Sequence, residues 1–341
     1  MRKKKYDDHI NYLKKYGTNP LSYLTLSENL SKFTGDWEGY IAYKSFLKTV
    51  VILGDPIVSN KNIGKCINDL KKKFISNKHQ ICFFLCKKKL EIPLRDEGFK
   101  GFCFGQDAIV NLEKFNISGK KKASIRSSIN YAKRQNMIVE EYNYNLKKSK
   151  KIENEIKKIS KEWLKTKKEP ELTFAVGNID FGKNKETRYF IAKYQDRIHG
   201  FLTYIPIYGG KGYYLDLTRR KKNSLRGTID YLMVESFKIL KKEGVKKIYI
   251  GGAPLYFKQL EPKINILFTT LFFKICKPFF GFIYPQKSEL FFKKKYATEW
   301  EPYYIFYYPR FNLRIFLSTI NSIYEGGIAS IIIHKIKCLR K

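Results

Sequence analysis

Acidic residues are scarce in this sequence. The chain has 31 Asp and Glu residues against 67 Lys and Arg residues, which gives a formal net charge of +36. Solubility requires far less charge than this, so the excess indicates a polyanionic partner, either nucleic acid or anionic lipid. Only twelve of the basic residues are Arg, and a compositional bias toward Lys is an alternative source for part of the charge. That bias does not explain the shortage of acids.

Cysteine and histidine are also few, with six and four residues. The cysteines lack the dense, regular spacing of a disulfide scaffold or a paired zinc motif, so we expect reduced thiols. Cys82 and Cys86 flank an apolar run, where packing in a buried strand is the expected role. The histidines form no ligand pattern. We therefore expect neither a metal site nor a cofactor.

Long apolar runs are missing as well. The most apolar window, residues 264–284, contains Lys274, Lys277 and Pro278, so it falls short of the roughly 20 uninterrupted residues that a transmembrane helix needs. The N-terminus is basic, but no apolar stretch follows it as in a signal peptide. These features predict a cytoplasmic protein.

The length of 341 residues is too great for one comfortable core and predicts two domains. Apolar residues make up 43% and aromatic residues 16%, which is enough for a packed interior and excludes wholesale disorder. A change of composition in the Lys- and Asn-rich stretch 143–158 places a boundary near residue 147. The predicted units are residues 1–147, residues 148–310 and a basic amphipathic helical segment at residues 311–341.

Periodicity in the first unit predicts a strand, a helix and a strand. Residues 49–53 are a β-branched run followed by a turn, and residues 80–86 are almost continuously apolar. The helix between them has one apolar face formed by Ile63, Ile67, Leu70 and Phe74. Beyond this unit, Ser118 is expected to cap a helix that is apolar at Ile125, Ile129 and Ala132 and basic on its other face.

The second unit is predicted to open with a helix that carries Ile152, Ile156, Ile159 and Trp163 on one face. Three strands separated by hairpin turns follow and form an antiparallel meander, at residues 188–194, 200–206 and 212–218. A basic loop then leads into a helix that carries Ile229, Leu232, Met233, Phe237 and Leu240 on one face, and a strand at residues 247–250 completes the series.

The basic loop, residues 219–227, contains five Lys or Arg residues. A strand, a basic loop and a helix N-terminus together bind anions well, because unpaired backbone N–H groups and the positive end of the helix dipole converge there. A solvated surface loop is the alternative in so basic a chain. The order of elements matches the Gcn5-related N-acetyltransferase core, in which this loop holds a pyrophosphate. Gly227 is the only glycine in the loop, which disfavours coenzyme A.

Several runs, in matching order and spacing, resemble one bacterial family between about residues 16 and 308. In the first unit these are Tyr16-Gly17, Leu21-Ser22-Tyr23-Leu24, Gly39-Tyr40-Ile41-Ala42-Tyr43, Leu53-Gly54-Asp55-Pro56 and Phe115-Asn116-Ile117-Ser118-Gly119-Lys120. In the second unit they are Glu171-Leu172-Thr173-Phe174-Ala175-Val176-Gly177, Asp216-Leu217-Thr218-Arg219-Arg220, Gly227 with Asp230, Gly251-Gly252-Ala253-Pro254-Leu255, Lys293-Lys294-Lys295-Tyr296 and Trp300-Glu301-Pro302. The chain resembles the C-terminal catalytic region of the phosphatidylglycerol lysyltransferases, the multiple peptide resistance factor family, without its membrane-spanning flippase half.

The resemblance implies an α/β (α+β) fold of two tandem acetyltransferase-like lobes, each a mixed, largely antiparallel sheet flanked by helices. It also implies transfer of an amino acid, lysine or alanine, from aminoacyl-tRNA to a hydroxyl of phosphatidylglycerol or a related lipid at the inner face of the cell membrane. The expected partners are therefore aminoacyl-tRNA and anionic phospholipid. Two alternatives are Fem-type transfer to a peptide or peptidoglycan precursor and a noncatalytic protein that binds tRNA or membrane surfaces.

Aminoacyl-tRNA is already an activated ester, so the reaction needs positioning, hydroxyl activation and oxyanion support. Asp216 lies in an apolar strand, on the face of Tyr214 and Thr218 if the strand alternates. We expect Asp216 to pair with Arg219 and to orient the ammonium or the hydroxyl, and a structural ion pair is the alternative. Glu171 is a second candidate for the ammonium, or else a solvated turn residue.

The remaining candidates are basic residues and the loop. Lys293 and Lys295 share one face if residues 290–296 are extended, and both are expected to bind the tRNA terminus or a lipid phosphate. The other expected substrate-binding residues are Lys120, Arg220, Arg226, Gly227 and Asp230. A cationic helix face follows phosphates without exact geometry, and the residues expected to contact tRNA are Lys121, Lys122, Arg126 and Arg134.

Two segments mix apolar and basic residues as interfacial helices do. One is the Phe-rich stretch within residues 264–285. The other is residues 311–341, with Leu313, Phe316, Ile320 and Ile323. Each is predicted either to contact a membrane or to pack internally.

Overall fold

The computed structural model describes residues 2–167, 170–182, 186–210, 212–257 and 286–339. The helices of these residues are α1 (Arg2–Tyr16), α2 (Ile63–Ser76), α3 (Glu91–Asp96), α4 (Ala123–Arg134), α5 (Lys150–Lys165), α6 (Thr228–Lys242), α7 (Gln286–Tyr296), α8 (Leu313–Ile323) and α9 (Gly327–Leu339). The strands are β1 (Ser31–Phe33), β2 (Gly39–Phe46), β3 (Thr49–Leu53), β4 (Ile57–Val58), β5 (Gln80–Cys86), β6 (Lys100–Asn111), β7 (Ile138–Tyr142), β8 (Arg188–Tyr194), β9 (Arg197–Ile207), β10 (Gly212–Arg220), β11 (Lys247–Pro254) and β12 (Glu299–Tyr308).

The predicted α/β class is confirmed, and the described strands form one sheet. Its order is β1-β2-β3-β5-β12-β6-β11-β10-β9-β8-β7, with β4 paired to β2. Two pairs among the described strands are parallel, β3 with β5 and β10 with β11. In each case the two strands are joined by a helix, α2 or α6. The same series of antiparallel hairpin, helix and parallel strand therefore occurs twice along the chain.

The two series are joined by an exchange of strands. β6, from the first half of the chain, pairs with β11 of the second series. β12, from near the end of the chain, pairs with β5 of the first series and with β6. β7 lies at the far edge of the sheet against β8. The predicted lobes are thus linked through a continuous sheet, and the division near residue 147 stays a prediction.

Both faces of the central strands are buried. In β3, Val50 and Ile52 pack in the core beneath α2, whereas Val51 and Leu53 pack in the core on the opposite face. The second of these cores also contains Phe174 and Tyr214 from the second series and Ile315 from α8. The expected patterns of α2, α5 and the strands at 49–53, 80–86 and 188–194 are confirmed.

Two expectations of local structure are wrong. Residues 290–296 are helical within α7, not extended, because Glu289 and Lys293, and likewise Phe292 and Tyr296, lie one helical turn apart and contact each other. Ser118 does not cap α4, which begins at Ala123 after a 3₁₀ turn, because its hydroxyl donates to Asn116 instead.

Residues 311–341 are helical in the described part, as predicted, and the structure decides between the two alternatives for the first half of this segment. Ile315 and Ile320 of α8 are buried against β2, β3 and β5. This half of the segment therefore packs internally and is not an interfacial helix. The Phe-rich stretch 264–285 lies outside the described residues.

Candidate functional site

The centre of the site is a buried guanidinium. Arg219 in β10 is only 4% exposed. Its Nη2 lies 2.6 Å from Glu171 Oε1, and its Nη1 donates to the Ser160 hydroxyl of α5. The Trp163 ring of α5 lies 5.2 Å from the guanidinium carbon. The cation is thus paired, hydrogen-bonded and covered by an aromatic ring, as a buried charge requires.

Asp216 lies in a β-bulge of the same strand. Leu215 pairs with Tyr204 and Thr218 with Leu202, so Asp216 and Leu217 together face Thr203. Leu215 and Leu217 consequently enter different cores. The expectation that Asp216 shares a face with Tyr214 and Thr218 by simple alternation is therefore wrong, because a bulge re-aims the side chains that follow it.

The carboxylate of Asp216 accepts a hydrogen bond from the Gly177 N–H at 2.7 Å. Burial, helped by nearby Glu171, raises the pKa of Asp216 to about 6 against the opposing effects of the Gly177 N–H and Arg219. A Cβ at Gly177 would lie 2.4 Å from Asp216 Oδ2, so only glycine allows the backbone to approach this closely.

The expected ion pair between Asp216 and Arg219 is corrected by the structure. Within the described residues, the carboxylate in ion-pair contact with Arg219 is Glu171. Asp216 acts on Arg219 through the electrostatic field rather than through a hydrogen bond. The three expected catalytic residues nevertheless lie together, and they carry two carboxylates against one guanidinium. We call Asp216, Glu171 and Arg219 the acid-rich cluster.

A second group of charges, which the sequence did not reveal as a site, surrounds the buried Lys87 side chain where β5, β6 and β12 meet. Lys87 Nζ is 2.7 Å from Glu301 Oε2 and 3.3 Å from Asp107 Oδ2. Tyr249 donates to the same Glu301 oxygen at 3.0 Å. Burial alone would lower the pKa of Lys87, but the carboxylates of Asp107 and Glu301 outweigh it and raise that pKa. We call Lys87, Asp107 and Glu301 the Lys87 cluster.

Lys293 lies near the Lys87 cluster and beside Tyr214. It is 3% exposed, and its ammonium donates to the Gly252 carbonyl. A Cβ at Gly251 would lie 3.7 Å from both Lys293 Nζ and the Tyr214 hydroxyl, so the two groups flank the same small space. Tyr214 is two residues before Asp216. Lys293 also acts on the Lys87 cluster, where it opposes the rise that burial produces in the pKa of Asp107.

Lys295 and Asp230 form a separate contact. Because residues 286–296 are helical, Lys295 points away from Lys293 and lies 2.5 Å from Asp230 in the first turn of α6, where Tyr296 also donates to Asp230. Lys122 donates to the Lys295 carbonyl. The expectation that Lys293 and Lys295 share one face is therefore wrong.

The basic loop is shorter than expected, since β10 extends through Arg220. Gly227 has φ +86° and packs against α4, so that a Cβ there would lie 2.2 Å from the Ser128 carbonyl oxygen. The N-terminal end of α6 thus faces α4. Arg226 extends over the Tyr131 ring of α4 at 5.9 Å, and Arg220 donates to Ser224. Both arginines are exposed.

The basic residues around α4 divide into two kinds. Lys120, Lys121, Lys133 and Arg134 are exposed, and Lys133 and Arg134 border a surface cavity of about 470 Å³ with Ser127 and Asn130. Arg126, in contrast, donates to the carbonyls of Ile117 and Gly119 at 2.6 and 2.7 Å, which fixes the turn before α4. Binding of tRNA by these residues stays a prediction.

Neither a membrane span nor a metal centre is found in the part of the chain that the structure describes. No helix there is long and apolar enough to cross a bilayer, and no group of three or more His, Cys, Asp or Glu residues is arranged to bind a metal ion.

Comparisons with known proteins identify close matches in sequence. A family model described as "Phosphatidylglycerol lysyltransferase, C-terminal" matches residues 10–307. Phosphatidylglycerol lysyltransferase from Bacillus subtilis is 26% identical over 305 residues, which are 87% of this chain and 34% of that protein. The protein of the same name from Staphylococcus xylosus is 24% identical over 300 residues, 86% of this chain and 34% of that protein. The chain thus spans about a third of the length of these relatives.

Solved structures share the fold. A C-terminal DUF2156 domain from Agrobacterium fabrum has a TM-score of 0.80 at 18% identity and covers 96% of this chain and 100% of its own. L-PGS from Bacillus licheniformis has a TM-score of 0.75 at 23% identity and covers 97% and 96% of the two chains. FemX has a TM-score of 0.56 at 11% identity and covers 89% and 96%.

Proposed function

Because the chain belongs to the family of phosphatidylglycerol lysyltransferase C-terminal domains, we propose that it transfers an aminoacyl group from charged tRNA to a hydroxyl of a polar lipid such as phosphatidylglycerol. The lipid oxygen attacks the ester carbonyl carbon, the bond from that carbon to the ribose oxygen breaks, and the proton of the lipid hydroxyl ends on the ribose oxygen. One ester replaces another, so positioning and charge stabilisation account for catalysis.

The observation that carries this proposal is the convergence of Asp216, Glu171 and Arg219 from different parts of the chain. The guanidinium neutralises one carboxylate, and ionised Asp216 leaves one negative charge in excess. An aminoacyl ester brings an ammonium, which that excess charge attracts in a poorly solvated site. We assign recognition of the ammonium to Asp216, and the placing of Arg219 to Glu171.

Lys293 is a further candidate for substrate binding. Its burial beside Tyr214 and Gly251 suits a role in binding either the phosphate of the tRNA terminus or that of the lipid. The exposed lysines and arginines of α4 and the neighbouring loop suit the tRNA backbone, because such contacts need charge more than precise geometry. The partners of the proposed reaction are therefore aminoacyl-tRNA and anionic phospholipid.

Contact with a membrane surface is part of the proposal. The α9 helix exposes Ile332, Ile333 and Ile336 by 54%, 53% and 45%, and the sequence after them is basic. This combination favours binding at the inner face of an anionic membrane.

The test uses the purified 341-residue protein, tRNA charged with radiolabelled lysine or alanine, and vesicles that contain phosphatidylglycerol. We expect label in the lipid fraction, sensitive to prior ribonuclease treatment and absent with phosphatidylcholine vesicles. Asp216→Asn is the matched variant, because its amide oxygen still accepts from Gly177 while the charge is lost. Absence of labelled lipid with a full set of charged tRNAs would contradict the proposal, as would an unimpaired Asp216→Asn variant.

A parallel arm decides between acceptors. A peptide amine replaces the vesicles, as the fold shared with FemX suggests. Label in the peptide but not in lipid would assign the Fem-type reaction. Equal affinity for charged and uncharged tRNA, with no product in either arm, would indicate a binding protein.

A further inference from the structure

The segment that carries Glu171 has little regular structure of its own. In the described stretch 170–182, Leu172 is the one residue in a β-bridge, and its partner is Tyr324 in the turn between α8 and α9. Thr173 donates its N–H to the Ile323 carbonyl at 2.9 Å. Glu325 donates its N–H to the carbonyl of Glu171 itself, also at 2.9 Å.

The other side of this contact is fixed to the first half of the sheet. Ser318 of α8 donates to the Phe46 carbonyl at 2.9 Å, and Lys44 donates to the Ser322 carbonyl at 3.0 Å. α8 itself packs on β2, β3 and β5. A continuous series of contacts therefore runs from β2, through α8 and residues 323–325, to Glu171 and from there to Arg219 in β10.

We propose that residues 323–325 are a positioning element of the aminoacyl site, in which the Glu325 main-chain N–H fixes Glu171 and thereby the guanidinium of Arg219. This inference rests on the proposed function and adds a part of the chain that lies beyond the family match at residues 10–307. The C-terminal helices thus contribute to the site without contacting the substrate. Glu171 and Arg219 lie in different elements, and their 2.6 Å contact depends on where the 171–174 backbone is held.

The turn offers a substitution that breaks the contact between Glu325 and the Glu171 carbonyl. Tyr324 has φ −98° and ψ 146°, the extended conformation that suits a residue before proline. The Gly327 N–H donates to the Tyr324 carbonyl and Gly326 has φ +69°, a β-turn in which proline is favoured at the second position. Glu325→Pro therefore suits the backbone of the turn, and it replaces the N–H with a Cδ that would meet the Glu171 carbonyl oxygen, which lies 2.9 Å from the nitrogen, so this contact must open. The Glu325 side chain is exposed, so Glu325→Ala is the matched control that keeps the donor.

The experiment measures aminoacyl-lipid formation by four variants of the 341-residue chain. They are Glu325→Pro, Glu325→Ala, Glu171→Gln and the double variant Glu171→Gln/Glu325→Pro. We expect Glu325→Pro to lower kcat by about tenfold, in line with the loss of one hydrogen bond, and Glu325→Ala to leave it unchanged. In a protein that already carries Glu171→Gln, Glu325→Pro should lower kcat by less than about twofold, because its effect passes through Glu171. Equal activity of the Pro and Ala variants, or the same fold loss in both backgrounds, would overturn the inference.

Hydrogen exchange separates this inference from the proposed function. If the parent protein forms no aminoacyl-lipid, the proposed function fails. Hydrogen exchange at the amides of residues 171–174 then tests the positioning role by itself. Faster exchange at these amides in Glu325→Pro than in Glu325→Ala supports the positioning role. Identical exchange in the two variants overturns it.

Discussion

The two charge clusters differ in how their carboxylates are paired. In the Lys87 cluster the ammonium contacts both carboxylates, and Tyr249 also donates to Glu301. In the acid-rich cluster the carboxylate in contact with Arg219 is that of Glu171, whereas Asp216 accepts from the Gly177 N–H. The acid-rich cluster has two carboxylates and one guanidinium, and the pKa of Asp216 is raised to about 6 by burial. A buried group whose charges are paired stabilises the fold or joins strands, whereas a group with an unsatisfied charge is ready to accept a ligand of opposite sign. We therefore associate the acid-rich cluster with the chemistry and the Lys87 cluster with assembly of the sheet.

Asp216→Asn should produce the largest effect, a loss of turnover of about 100-fold or more, since the charge that attracts the ammonium is removed. The folded protein should not lose stability, because Asn keeps the hydrogen bond from Gly177. Aminoacyl-lipid formation and denaturant unfolding measure the two quantities. An unfolded or unstable Asp216→Asn protein would show that this cluster, too, is mainly structural.

Lys87→Met should lower the stability of the protein and leave its turnover nearly unchanged, the reverse of what we expect for Asp216→Asn. Removing the cation leaves Asp107 and Glu301 close together without a counter-charge, so we expect the free energy of unfolding to fall by about 3 kcal/mol while turnover per folded molecule changes little. The neutral variant Lys87→Met/Asp107→Asn/Glu301→Gln should recover most of the loss. If Lys87→Met instead loses turnover at unchanged stability, the Lys87 cluster belongs to the reaction.

Exposed cations provide a third point of comparison. Lys133→Glu/Arg134→Glu on α4 should weaken tRNA binding by about tenfold or more and lower the salt dependence of log Kd by about one for each lost phosphate contact. The exposed pair Lys65→Glu/Lys72→Glu on α2 changes the net charge equally and should leave binding almost intact. Similar losses in both variants would assign tRNA binding to overall charge rather than to α4.

The pH dependence of turnover and of the free energy of unfolding should distinguish the two clusters further. Turnover should rise with pH and level off above about 6, as Asp216 loses its proton. The ordinary pKa of the Asp side chain is 3.8, so the folded protein binds this proton more tightly than the unfolded chain does. The contribution of Asp216 to stability therefore falls as the pH rises from about 4 to about 6. The unfolding free energy of the wild type relative to Asp216→Asn should therefore decrease over that range, by about 1–2 kcal/mol given partial exposure to solvent. A pH-independent difference would contradict the assigned burial.

Much of the local fold was predictable from periodicity. The strands at 49–53 and 80–86 and helices α2 and α5 follow directly from apolar spacing, because their buried faces are regular. α7 was not predictable, since a Phe-Phe-Lys-Lys-Lys run satisfies neither a helical nor an alternating pattern clearly. Its contacts within one helical turn are supplemented by tertiary ones, such as those of Lys293 with Gly252 and Lys295 with Asp230. The insertion of β12 between β5 and β6 also has no local signal, because strand pairing depends on the assembled sheet.

The sequence predicted which residues form the candidate site but not how they pair. Asp216, Glu171 and Arg219 follow from the family resemblance, and they do lie together. Their pairing could not be read from the sequence, because the bulge at Asp216 breaks the strand alternation and Glu171 reaches Arg219 across 48 residues. The Lys87 cluster was missed for a similar reason. Its members come from three separate strands or their ends, and each is unremarkable in a Lys-rich sequence.

The exchange of β6 and β12 has a consequence for synthesis on the ribosome. β5 and β6 emerge early, yet the strand that fills the space between them follows almost 190 residues later. Until then both strands have an unpaired edge that is rich in apolar residues, which is the kind of surface that chaperones bind and that associates with other nascent chains. The yield of active protein in the cell should therefore depend on translation speed and chaperone supply more than the stability of the finished sheet would suggest.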